Sequence, residues 1–113
     1  GDGLRFFCVK SELKGTCYHE FQKGEWEEGS FWKEDSLYLH DDVLRSLKLY
    51  KVFQAVNPDY TDYGETKMDK NKWNQVLRIA DVMGGDVKAA VEEAHQWVIQ
   101  VWKTEANFTI LGI

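Results

Sequence analysis

Between residues 87 and 102, Val87, Ala90, Val91, Ala94, Trp97, Val98, Val101 and Trp102 recur at intervals of three and four. Lys88, Glu92, Glu93, Gln96 and Gln100 mostly occupy the other face. A segment with this period is a helix that must lay one side on another apolar surface. Asp86 stands at its start as a candidate N-cap. Just upstream, Trp73, Val76, Leu77, Ala80 and Met83 follow the same spacing, with Asp69 as the cap and Gly84-Gly85 as the stop. Two consecutive helices therefore need a surface to cover.

The N-terminal third supplies it. Residues 4–10 and 15–21 are short, aromatic and β-branched enough for strands, joined by a turn over 11–14. As a hairpin with its loop near Glu12 and Leu13, they would set Cys8 and Cys17 opposite each other. Two reduced, half-buried thiols are expected there, a cross-strand disulfide being the alternative. Lys23-Gly24 and Gly29-Ser30 interrupt the pattern, and Phe31-Trp32 and Leu37-Tyr38-Leu39 read as further strand pieces. A helix is expected from Asp41 or Asp42 as cap through Val43, Leu44, Leu47, Tyr50, Phe53 and Val56, until Asn57-Pro58-Asp59 stops it. Leu49, Val52 and Ala55 widen its stripe, which implies burial on more than one side. Residues 60–69 read as a polar loop with an edge strand near Glu65–Met68, and 107–113 as a last strand. The expectation is one α+β domain over 1–113, a mainly antiparallel sheet of N-terminal strands plus the C-terminal strand, covered by three helices.

Charge is distributed unevenly over this plan. Residues 24–42 carry Glu25, Glu27, Glu28, Glu34, Asp35, Asp41 and Asp42 against one base, Lys33, a net of −6 where the whole chain has −5. Trp26, Phe31, Trp32 and Tyr38 lie among the acids. An acidic, aromatic-rich segment is one way to build a surface for a basic partner. The candidate partner-binding residues are therefore Glu25, Trp26, Glu27, Glu28, Trp32, Glu34, Asp35, Asp41 and Asp42. Whether Trp26 and Trp32 point into the core or outward decides between a wet strand face and a binding centre.

Other functions find less support. A pI near 5.1 disfavours sequence-independent nucleic-acid binding and anionic membranes. No apolar run approaches the roughly 18 residues that span a bilayer. The opening Gly-Asp-Gly-Leu-Arg-Phe-Phe lacks the basic and apolar regions of a secretory signal, so a cytoplasmic protein is expected. Nucleophile-elbow, phosphate-loop, dinucleotide and zinc-protease motifs are absent from the sequence. His19, His40 and His95 have no spacing that guarantees a metal site, and helix capping accounts for His40 with Asp41 and Asp42. Cys17 and His19 share a strand face, where packing outweighs catalysis. No enzyme activity, cofactor or metal is expected. The alternative function is a small-ligand pocket or enzyme lined by Trp26, Trp32, Tyr38, Tyr60 and Tyr63, or an accessory protein-interaction module.

The chain size, the acidity and the ending, a Trp97–Trp102 helix running into Asn107-Phe108-Thr109-Ile110-Leu111-Gly112-Ile113, resemble the small acidic immunity proteins of bacterial polymorphic toxin systems. That resemblance covers the architecture of the last 45 or so residues. It implies a non-enzymatic inhibitor that binds and occludes one cognate toxin, often a nuclease, whose basic cleft an acidic patch would complement.

Overall fold

The computed structural model describes residues 4–112. Five strands form one antiparallel sheet: β1 (Phe7–Cys8), β2 (Tyr18–Lys23), β3 (Leu37–His40), β4 (Glu65–Asp69) and β5 (Asn107–Leu111), in the spatial order β1-β3-β2-β5-β4. Four helices accompany it: α1 (Asp41–Ser46), α2 (Leu49–Val56), α3 (Lys70–Met83) and α4 (Gly85–Val101). The α+β class, the last strand, the edge strand β4 and the long helix pair agree with the sequence reading. Ile113, the last residue of the expected final strand, lies outside the described residues.

Alternation along β2 divides the molecule into two layers. His19 and Phe21 face the helices, together with Phe7, Leu37, Leu39, Met68, Phe108 and Ile110 from neighbouring strands. Phe21 is the hub of that side. Its ring meets Phe7 at 5.6 Å, Phe108 at 5.8 Å, Phe53 at 6.1 Å and Trp97 at 6.4 Å. Against this face α4 buries Ala90, Val91, Ala94, Val98 and Val101, and α3 buries Trp73, Val76 and Ala80. Tyr18, Glu20 and Gln22 face the opposite way, beside Tyr38, Thr109 and Leu111. All six are nevertheless buried.

Several local expectations are corrected. The first two strands make no hairpin, because β3 lies between β1 and β2. The Glu93 carboxylate on α4 accepts the N–H groups of Arg5 (2.8 Å), Phe6 (2.9 Å) and Phe7 (2.7 Å), which ties that segment to a helix. Cys8 therefore pairs in register with Tyr38, both thiols are free, and Cys17 is exposed. Phe31-Trp32 belongs to a loop, with Trp32 at φ 60°.

The single helix expected over 42–56 is two. Leu49, Val52, Phe53 and Val56 keep strict helical phase, but Leu44 lies five residues before Leu49 and falls out of it. Lys48, at φ 56°, turns the chain so that both segments face the core. Capping differs too. The α1 cap is His40, whose Nδ1 accepts from Asp42 N–H at 3.0 Å, and Gly84 precedes α4 where Asp86 was expected. Asp69 does cap α3, accepting from Lys72 N–H at 2.8 Å. Gly112 closes the sheet end by donating to Gly64 O at 2.8 Å, and a Cβ there would fall inside the Asp62 carbonyl.

Candidate functional site

An outer sheet face that is apolar and semi-polar needs a cover, and residues 24–36 provide it. The segment crosses the sheet from edge to edge. Near its start Glu25 pairs with Lys67 on β4, and near its end Glu34 pairs with Lys10, just past β1, at 3.5 Å. Between these ends, Gln22 Nε2 and Trp26 Nε1 both donate to Ser30 O, at 2.9 and 2.8 Å. Thr109 Oγ1 donates to Gly24 O at 2.9 Å.

The strongest tether is Glu20. Its carboxylate, 3% exposed, accepts from Trp32 N–H at 2.8 Å, Lys33 N–H at 2.9 Å and Ser36 Oγ–H at 2.7 Å. Two successive backbone N–H groups aimed at one carboxylate form an anion nest, which suits the left-handed turn at Trp32. Trp32 stacks on Tyr38 at 5.8 Å, and the Tyr38 hydroxyl donates to Lys33 O at 2.6 Å. Burial, then the nearby Glu20 charge, pushes the Tyr38 phenol up, so it remains a donor at any ordinary pH.

The acids of the 24–42 window do not all share one fate. Glu25 and Glu34 are paired with lysines, and Asp42 lies 3.7 Å from His40 Nδ1. Asp41 is structural. It accepts from buried His19 Nε2 at 2.8 Å and from Arg45 Nε at 2.9 Å, and Arg45 continues to Asp62 at 3.1 Å. The carboxylates of Glu27, Glu28 and Asp35 are exposed and take no hydrogen bond or ion pair among the described residues. Asp35 contributes only its carbonyl inward, to Trp97 Nε1 at 3.0 Å. Asp41 and Asp42 open α1, beyond the end of β3 and outside the covering segment.

Trp26 and Trp32 answer neither alternative set out for them. Both are half-buried, laid on the outer sheet face away from the helix-side core. The exposed rings are others: Phe31 at 51% and Tyr63 at 81%. Trp26 and Phe31 lie 5.5 Å apart, and with Tyr63, Glu65, Leu111 and Gly112 they line a cleft of about 240 Å³. A neighbouring cleft of about 330 Å³ shares Trp26 and Glu65 and adds Glu25, Lys67 and Thr109. The proposed five-aromatic pocket is not formed. Tyr38 and Tyr60 are buried, and Tyr60 packs on Phe53 at 5.5 Å on the helix side of the sheet. Of the expected five, Trp26 and Tyr63 do share this cleft, and Phe31 was visible within the acidic window, but Glu65 enters only through the β4–β5 pairing.

The Asp41 knot makes stability depend on pH. Burial raises the Asp41 carboxyl, but hydrogen bonds from His19 and Arg45 outweigh it and hold the group below the usual range. With the folded value lower than the unfolded one, near 4, the contribution is complete above about pH 4 and is lost as pH falls through the folded value. Asp41→Asn is expected to flatten that acid limb. The loss at neutral pH should be about 1 kcal/mol, reduced from a buried pair by partial exposure. Urea midpoints of both proteins between about pH 2.5 and 6 measure it, and parallel curves would remove Asp41 as the source.

Among the described residues, no group of three or more His, Cys, Asp or Glu could hold a metal, and no helix is long and apolar enough to cross a membrane. Comparison with protein families, with curated proteins and with solved structures found no match.

Proposed function

We propose that this chain is a non-enzymatic, protein-binding inhibitor of immunity type, which occludes a basic cognate toxin through the 24–36 segment and the rings beside it. One observation carries the reading: the acid-rich segment is held on the sheet, by Glu20 at its far end, Gln22 in its middle and Lys67 at its start, while Phe31, Tyr63 and the Glu27 and Glu28 carboxylates stay in water. A surface ordered before contact loses little conformational entropy on binding. Exposed aromatics beside unpaired acids fit the anatomy of a hot spot with a charged rim. The free carboxylates would speed encounter with a basic cleft and repel acidic proteins. Two free cysteines suit the reducing cytoplasm of a bacterial cell.

The test is capture from the source cell with a salt gradient, comparing wild type with a Glu27→Gln, Glu28→Gln double variant. A single basic protein should be retained, elute early from the variant, and lose its own activity on re-addition of wild type. If both proteins retain nothing, or the retained protein keeps full activity when bound, the inhibitor reading fails.

A further inference from the structure

The cleft between Trp26, Phe31 and Tyr63 has a second character besides its apolar walls. Glu65 lines it and also lines the adjoining cleft with Glu25 and Lys67. The Glu25 carboxylate is engaged by Lys67, whereas that of Glu65 takes no hydrogen bond among the described residues and only feels the Lys67 charge from a distance. Ring faces attract cations through their quadrupole, and two carboxylates, Glu25 and Glu65, against the single charge of Lys67 leave the place net acidic.

From this juxtaposition we infer that the cleft is a socket for one arginine side chain of the basic protein partner. The inference rests on the protein-binding reading above and names the group recognised. Guanidinium fits better than the other cations. It is flat, so it stacks on a ring, and its forked N–H groups match a carboxylate two at a time. An ammonium is compact and strongly hydrated, and a quaternary ammonium has no N–H to offer Glu65. The aliphatic stem of arginine would lie along Leu111 and the Phe31 ring. The walls are held before any ligand arrives. Trp26 is fixed by its bond to Ser30 O, and Phe31 directly precedes the two amides bound by Glu20. Tyr63, at 81% exposure, leaves its ring open to the guanidinium.

The experiment titrates the full chain with N-acetyl-arginine methylamide, and separately with its lysine and norleucine counterparts, at low salt. The readout is the nuclear magnetic resonance shift of Trp26 Nε1–H and of the Gly64 and Gly112 amides. The arginine derivative should bind with a Kd of about 10 mM, as expected for a single cation–ring contact with one carboxylate. Tyr63→Ala and Glu65→Gln, both at exposed positions that leave the core intact, should each weaken it about fivefold. The lysine derivative should bind several times more weakly, and norleucine should leave these signals unmoved. Absence of shifts, equal binding of lysine or norleucine, or indifference to Glu65→Gln overturns the socket. The outcomes separate from those of the capture test: a captured toxin with no arginine response sinks the socket alone, and an arginine response with no captured partner sinks the inhibitor alone.

Discussion

Glu20→Gln is expected to lower the stability of the fold by about 3 kcal/mol, far more than a surface charge is worth. The physical reason is that the site is built only of donors. Trp32 N–H, Lys33 N–H and Ser36 Oγ–H all point at the Glu20 carboxylate, within 2.7 to 2.9 Å. An amide keeps one acceptor oxygen and turns an NH2 group toward the remaining donors, so at least one buried N–H loses its partner. The left-handed backbone at Trp32 adds to the effect, because its strain is held in place by the same two amide bonds. Hydrogen exchange at the Trp32 and Lys33 amides should accelerate more than at any amide of β2 or β5, while urea unfolding gives the global loss. A loss below about 1 kcal/mol with both amides still protected would mean that another acceptor replaces the carboxylate. The variant also bears on function. It touches neither the exposed rings nor Glu27 and Glu28, yet by freeing their support it should weaken partner binding.

Glu20 also marks where sequence reading reaches its limit. The helix pair over 70–101 was legible because its stripe repeats at one period and its neighbours stop it with Gly84-Gly85. The last strand was legible because Phe108 and Ile110 alternate with Asn107 and Thr109. Pairing was not. Short strands with one core face specify which side is buried, but not which neighbour they join, and β1 lies beside β3 with its Phe7 N–H held by Glu93. Likewise, Tyr18, Glu20 and Gln22 form the polar half of an alternating strand, which ordinarily means a wet face. Here that face is covered by residues 24–36, a long-range arrangement that no local period encodes. The acidic window was visible as a biased segment. Its division into paired acids (Glu25, Glu34, Asp41) and free ones (Glu27, Glu28, Asp35) depends on Lys67 of β4, Lys10 past β1 and His19 of β2, with only Arg45, four residues on in α1, local to its acid. Phe31 and Tyr63, the exposed rings, are 32 positions apart in the chain and line one cleft through long-range packing beside Leu111 and Gly112.

Phe21→Ala should have the largest effect of any single truncation, about 4 kcal/mol. The side chain is fully buried at 0% exposure, and its ring touches aromatic partners from β1, α2, α4 and β5. Removing it takes away the transfer energy of a benzyl group and leaves a void walled by four rings. Rings are stiff and collapse poorly into a gap, so the cavity contribution should stay near the upper end of its range. Phe21→Leu, which refills most of the volume but loses the edge-to-face contacts, should cost only roughly 1.5 kcal/mol. The pattern of loss distinguishes this change from the one next to it in sequence. Phe21 and Glu20 point to opposite faces of β2, so they test two different layers joined by one strand. Truncating Phe21 weakens what all the layers share, and amides of β2, β5 and α4 should gain exchange together, with the covering segment following them. Substituting Glu20 opens the cover first and leaves the helix side comparatively protected. If both variants instead raised exchange with one common profile, the cover and the core would be a single cooperative unit, and the 24–36 segment would be as rigid as the sheet it lies on.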